Sequence, residues 1–312
     1  MKAIQAHELS RTFGRRAAIV GLDLEVEAGE IYGFLGPNGA GKTTTVRMLT
    51  GSLPPSGGTA HIAGYDVRTN PDSVRARIGV LPESTGYYGW MTPVEYLRFF
   101  AQLYGVRRTD TTRIPTLLHW VGLCERGASR IATLSRGVRA RLGVARALIN
   151  RPRVVFLDEP TLGLDPLAQR DVLELIRREN RDAGTTVFLS SQALDQVGPL
   201  CTRVGILDEG RLVAQGTASE LSQRLALPAA LRLTVTDPAR ARQVVAHLGF
   251  DTQGRRADPS HLVVVPRDQA LPADILVRAL DRAGVIVRDV TVDAPNLEDV
   301  FLALVRHKRD AR

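Results

Sequence analysis

Lysine is almost missing from this sequence. Lys2, Lys42 and Lys308 are the only three, and arginine supplies the rest of the 41 Lys and Arg side chains. A net charge of +8 favours anionic partners in general. The arginines are scattered, however, and only Arg306-His307-Lys308-Arg309 makes a basic run. A solvated surface explains most of them, so charge alone decides nothing about partners. No nucleic-acid partner is expected. Cysteine is scarce too: Cys124 and Cys201 follow no metal or redox spacing, which excludes a disulfide framework and a zinc ribbon. Both read as core thiols in a reducing compartment. No apolar run approaches the roughly eighteen residues that span a bilayer, and Met1 to Glu8 has no apolar core of the kind a secretory leader uses. What remains is ordinary for a globular chain: 312 residues, 44% hydrophobic and 24% charged, enough for two domains.

The chemistry is concentrated in Gly36-Pro37-Asn38-Gly39-Ala40-Gly41-Lys42-Thr43-Thr44. Every fixed position of the G-x-x-x-x-G-K-[ST] phosphate loop is met. Glu30 to Leu35 reads as a buried strand before it, and Thr43 to Thr50 as a helix opening from the glycines. Gly36, Gly39 and Gly41 let backbone N–H groups, those around Asn38 and Thr44 included, curl about phosphate oxygens at a helix N-terminus. Lys42 reaches the β- and γ-phosphates, and the Thr43 hydroxyl is a ligand for Mg²⁺. A nucleoside triphosphate is therefore the expected ligand.

Upstream, Ile4 to Glu8 and Ala18 to Val26 alternate as two strands joined by a turn at Gly14. Phe13 lies beside that turn, where an aromatic ring either stacks on a base or packs. Downstream, Thr59 to Ile62 reads as strand-like, and Val74 to Gly79 follows, ending in Val80-Leu81-Pro82-Glu83. The stretch Gly86 to Tyr104 then holds seven of the sixteen aromatic residues (2 Trp, 6 Tyr and 8 Phe). Tyr96, Phe99, Phe100 and Tyr104 recur at helical spacing and read as core; Tyr87, Tyr88 and Trp90 sit in a glycine-containing loop and read as a partner surface. Arg153-Val154-Val155-Phe156-Leu157-Asp158-Glu159-Pro160 reads as a buried parallel strand with acids at its C-terminal end. One carboxylate there can hold Mg²⁺, and the next can orient or deprotonate an attacking water.

Between these motifs stands Leu134-Ser135-Arg136-Gly137-Val138, and after them Thr161-Leu162-Gly163-Leu164-Asp165-Pro166. The phosphate loop, Leu-Ser-x-Gly, the strand ending in Asp-Glu-Pro and Gly-Leu-Asp-Pro occur in that order over residues 3 to 222. In this the chain resembles the nucleotide-binding subunits of ABC transporters. The resemblance implies an α/β fold: a P-loop NTPase core of ABC type over 1–222, with a helical subdomain at about 84–150. Residues 223–312, which alternate strand and helix, would form a small C-terminal α/β domain. It also implies ATP and Mg²⁺ as cofactors and a head-to-tail homodimer sharing two ATP molecules. A separate transmembrane permease and a peripheral position on the cytoplasmic face of the membrane follow from it.

On the same resemblance Phe13 stacks on adenine, Asp158 joins Thr43 at Mg²⁺, and Glu159 is the catalytic base. Ser135 and Gly137 meet the γ-phosphate held by the opposite subunit, and Asp165 communicates across the dimer. Three places depart from the family pattern. Arg136 and Val138 replace the usual glycine and glutamine of the signature. Glu83 stands where a glutamine senses the γ-phosphate, which places it among both the catalytic and the metal-facing residues. Gln192 stands where a histidine acts as a switch, and no histidine lies between His119 and His247, so slow turnover is expected.

The ending Pro295-Asn296-Leu297-Glu298-Asp299-Val300-Phe301 is similar to the Leu-Glu-x-Val-Phe terminus of ATPase subunits serving drug and antibiotic exporters, the daunorubicin-resistance group among them. It also reads simply as an amphipathic helix closing the domain. Export of a drug-like substrate is the expectation. A soluble ABC ATPase acting on ribosomes or DNA fits less well, because the chain has one phosphate loop and no heptad run. A nucleotide-gated module with weak hydrolysis is the third reading.

Overall fold

The computed structural model describes all residues except 85, 107–112, 125, 226, 228, 249, 253–260, 267–272, 294, 296 and 311–312. Two compact units result, Met1–Thr217 and Ala218–Arg312. The division falls before residue 218 rather than after 222, because Leu221 and Ser222 are buried within the second unit, where the Ser222 hydroxyl donates to the Pro295 carbonyl.

The first unit opens with a long hairpin, β1 (Lys2–Phe13) and β2 (Arg16–Glu27), followed by β3 (Ile31–Leu35) and the phosphate-loop helix α1 (Lys42–Leu49). Then come β4 (Gly57–Ile62), β5 (Tyr65–Asp66), α2 (Pro71–Arg75) and β6 (Ile78–Leu81). Three helices follow: α3 (Pro93–Leu103), α4 (Arg113–Trp120) and α5 (Arg136–Ala147). The chain returns through β7 (Val154–Asp158), α6 (Pro166–Ala183), β8 (Thr186–Ser191), the single turn α7 (Leu194–Val197), β9 (Arg203–Asp208) and β10 (Arg211–Gly216).

Two sheets form from these strands. One is antiparallel, in the order β2-β1-β4-β5; the other runs β10-β9-β3-β8-β7-β6, parallel except for the edge strand β10. The strands β3 and β7 are buried at all five positions, as their unbroken apolar runs require of a sheet covered on both faces. Phe34, Phe156 and Phe188 meet on neighbouring strands, with ring centroids 5.2 and 5.5 Å from Phe188. Ile4, Leu22, Val46 and Leu49 close that core from the antiparallel sheet and α1. Because β3 and β7 are both parallel partners of β8, their C-terminal ends lie on the same edge of the sheet. That edge carries the phosphate loop and the Asp158-Glu159 pair.

In the helical segment Thr92 caps α3 with a reciprocal bond pair to Glu95, and Pro93 takes the first helical position. Tyr96 is fully buried, in line with its helical spacing. The loop before it departs from the expectation of a free partner surface. The Tyr87 hydroxyl donates to the Arg139 carbonyl at 2.7 Å, and the Tyr88 ring packs against Tyr96, Phe99 and Phe100. Trp90, 67% exposed, points outward as expected, and Tyr88 remains 43% exposed beside these rings. Arg146 is buried with no carboxylate partner among the described residues: it donates to the Tyr96 hydroxyl and the Val80 carbonyl and lies 5.0 Å from the centre of the Phe100 ring. Val74 belongs to α2. Cys201 is a core thiol, its acidity suppressed by burial, whereas Cys124 is exposed and corrects the reading of both as core.

The second unit contains α8 (Ala218–Arg224), β11 (Ala230–Val235), α9 (Pro238–His247), β12 (Phe250–Thr252), β13 (His261–Pro266), α10 (Ala273–Arg282), β14 (Val287–Asp293) and α11 (Leu297–Asp310). Its sheet order is β12-β13-β11-β14, the split β-α-β arrangement. Leu231, Leu233 and Val235 pack with Ala241, Val245, Leu276 and Leu280. The strand β12 has three residues, too short for a periodic signal to reveal. Leu297 and Val300 of the terminal motif are buried, and Asn296 lies outside the described residues.

Candidate functional site

The phosphate loop leaves β3 at Gly36 and enters α1 at Lys42. Two of its glycines are sterically required. A Cβ on Gly36 would lie 2.2 Å from the Leu207 carbonyl oxygen, and Gly41 combines φ +111° with a Cβ position 2.5 Å from Ile19. The loop borders a cavity of about 790 Å³ lined by Phe13, Asn38, Gly39, Gly41, Lys42, Thr43 and Thr44. Glu83 and Glu159 reach the same cavity from other elements, and Arg16, Ala17, Ala18, Glu209 and Gly210 complete its wall. Phe13 is half exposed, and the Arg11 guanidinium lies 4.7 Å from its ring centre. A ring held on one face by a cation presents the other to a base.

At the base of the cavity Lys42 is 6% exposed. Its Nζ donates to the carbonyls of Gly36 at 2.8 Å and Pro37 at 3.2 Å, and pairs with Glu159 Oε1 at 3.2 Å. Glu159 has a left-handed backbone, φ +51°, uncommon for a side chain of its size. Burial raises its pKa above the ordinary carboxylate value, and Lys42 opposes that rise. The partners of the acids come from β8, which sequence reasoning missed. The Ser190 hydroxyl donates to Asp158, Ser191 donates to Glu159 Oε2 at 3.5 Å, and the Gln192 N–H donates to that oxygen at 3.4 Å. The signal was present as polar residues ending an otherwise apolar strand beside the acid-bearing one.

A second cavity, of about 370 Å³, is also lined by Glu83 and Glu159 and adds Asp158, Tyr87, Arg136, Arg139 and Leu162. Ser135, Gly137, Asp165 and Gln192 line neither cavity. Ser135 caps α5, accepting from the Val138 N–H at 3.4 Å, and Asp165 caps α6, accepting from the Ala168 N–H at 2.9 Å. Gly137 sits against α6, where a Cβ would lie 2.6 Å from that of Ala168. Each chain thus gathers one set of phosphate-loop groups and carries the signature residues elsewhere on itself.

A phosphate loop on a parallel sheet, with paired acids at the end of β7, defines a P-loop ATPase. Residues 19–162 match the ABC transporter family. The chain is 39% identical over its whole length to a daunorubicin/doxorubicin resistance ATP-binding protein, DrrA, of Streptomyces peucetius, covering 94% of that protein. It is 31% identical to the linearmycin resistance ATP-binding protein LnrL of Bacillus subtilis (strain 168), over 96% of this chain and 97% of that one. A solved ATP-binding subunit of an ABC transporter superposes with a TM-score of 0.66 at 30% identity, over 72% of this chain and 93% of that one. The chain belongs to the ATP-binding subunits of ABC transporters and is an ATPase. Subunits of this family work with transmembrane permeases, and among the described residues no helix is long and apolar enough to cross a membrane.

Proposed function

We propose that the chain is the ATP-hydrolysing subunit of an exporter of drug-like or antibiotic compounds, working as a homodimer on a separate permease at the cytoplasmic face of the membrane. The observation that carries the reading is the single cavity joining Phe13, Lys42, Thr43, Glu83 and Glu159. Full-length likeness to two proteins named for resistance to such compounds supports the substrate class. The dimer is supported by the position of Ser135 and Gly137: at the start of α5, outside their own subunit's cavity, they are free to complete another's.

Adenine stacks on Phe13, Lys42 neutralises the phosphates, and Glu159 takes a proton from the attacking water. A Mg²⁺ ion fits the residues present. Asp158 is 2% exposed and has only a neutral hydroxyl as its recorded side-chain partner, so a buried carboxylate is without a cation among the described residues. The donors Thr43, Asp158 and Glu83 are all oxygen, and Mg²⁺ on a nucleotide uses one or two protein oxygens rather than a cage. Among the described residues no group of three or more His, Cys, Asp or Glu is placed to form such a cage. When bound, the ion supplies charge neutralisation on the phosphates. Gel filtration of Glu159→Gln protein with ATP and Mg²⁺ tests the reading. An ATP-dependent dimer without turnover is expected; a monomer at high concentration, or undiminished hydrolysis, overturns it.

A further inference from the structure

The geometry points to Arg136 as a positioning residue for Glu159, acting through the loop from Thr161 to Asp165; this rests on the role proposed above for Glu159. Arg136 is the first residue of α5 and its side chain is exposed. Its Nη2 donates to the Leu162 carbonyl at 3.2 Å. The N–H of the same residue, Leu162, donates to the Glu159 carbonyl at 3.1 Å. Leu162 therefore links the guanidinium to the backbone of the acid, its carbonyl bonded to one and its N–H to the other.

The fit around this link is close. A Cβ on Gly163 would lie 2.4 Å from Arg136 Nη2, 2.6 Å from Cζ and 2.7 Å from Nη1. The guanidinium thus occupies the space a side chain at 163 would need, at a glycine whose φ is +66°. Further along, the Leu164 N–H donates to Thr161, and Gln169 donates to the Leu164 carbonyl. Arg136 closes the one side of this loop that faces α5.

Helix stability does not account for an arginine here. The N-terminal turn of a helix carries partial positive charge and favours acids, yet α5 has no acidic residue in its first turn and begins with a cation. The Leu162 carbonyl gives that cation an acceptor. Glu159 needs the help, because its left-handed backbone is unfavourable for a non-glycine residue and persists only where its surroundings hold it. A glycine at 136, the residue usual in the family, has no side chain to make this link. The loop of this chain is therefore held by a contact that the signature itself contributes.

The test uses the full chain and reads two quantities: hydrogen exchange of the amides in 159–165, and steady-state hydrolysis of MgATP. Arg136→Gly should speed exchange in that segment while leaving α5 protected. It should lower kcat about tenfold, the scale of one charge-assisted bond, with KM for ATP unchanged. Arg136→Lys keeps a donor without the plane over Gly163 and should restore part of the loss. Gly163→Ala should lower kcat more in the native background than in Arg136→Gly, where the clash with the guanidinium is gone and only the backbone strain at φ +66° remains. Unchanged exchange in Arg136→Gly, faster exchange with native kcat, or fully additive losses would each overturn the assignment. If Glu159→Gln retains turnover, the assignment of the base fails, and the exchange result still decides whether Arg136 orders the loop.

Discussion

Lys42 and Glu159 form an ion pair with nitrogen and oxygen 3.2 Å apart and both side chains under one-tenth exposed. The lysine proposed to meet the nucleotide phosphates is thus also the counter-ion of the proposed base. Lys42→Ala should abolish binding of a fluorescent ATP analogue. It should also destabilise the fold by about 3 kcal/mol, because a buried carboxylate is left without its partner. Adding Glu159→Gln should recover most of the melting temperature and none of the binding. Recovery of binding in the double variant would show that Lys42 acts through Glu159 alone.

Glu159 gives the pH dependence a definite sign. Burial, opposed by Lys42, raises its folded pKa above the ordinary 4.5. Its contribution to stability is therefore fully present below the unfolded value and is lost as pH rises through the folded one. Native protein should lose stability relative to Glu159→Gln from about pH 4.5 upward, with the gap closing in acid. Melting curves of both proteins across that range check this; a gap that widens in acid refutes it.

Gln192 sits beside the base through its backbone N–H rather than through a recorded side-chain contact. A protonated imidazole makes a charge-assisted bond that an amide cannot. Gln192→His should raise kcat about tenfold with little change in KM, since the gain lies in the transition state. A variant no faster than native protein would mean that another group, with Glu83 in the same cavity the first to examine, already performs the switch.

The three loop aromatics should separate by role. Trp90→Ala should leave folding and ATP affinity intact and sharply reduce co-purification with a permease. Tyr88→Ala removes a ring in contact with four others, Trp90 among them, and should cost stability, about 1–3 kcal/mol. Thermal melts and pull-downs on the two variants distinguish them; equal loss of stability in both would remove Trp90 from the docking role.

How much of this was legible in advance follows from local chemistry. That Lys42 and Thr43 open a helix and that Asp158 and Glu159 lie at the end of a buried strand was readable, because phosphate loops demand glycine and buried parallel strands demand apolar runs. The end of β1 was not: it continues to Phe13, but Glu8 takes φ +51° and the pairing slips between Ala6 and Leu9, so the alternation breaks where the strand does not. The loop aromatics misled for a different reason, since Tyr87 finds its acceptor on α5, far along the chain, and Tyr88 folds back on the α3 rings that follow it. Arg136 announced itself only as a departure. Its acceptor at Leu162 depends on how α5 and α6 pack, which no spacing records.

The two cysteines give the molecule a reporter already in place. Cys201 is largely but not fully shielded, its pKa pushed up to about 12, and its thiol donates to the Val197 carbonyl, so it should stay silent toward maleimides near neutral pH. Cys124 is exposed between α4 and α5, with His119 Nδ1 3.8 Å from its sulfur. One dye should therefore attach per native chain and two per unfolded chain, with no engineering. That dye would follow the helical segment during nucleotide turnover from a position that belongs to neither cavity.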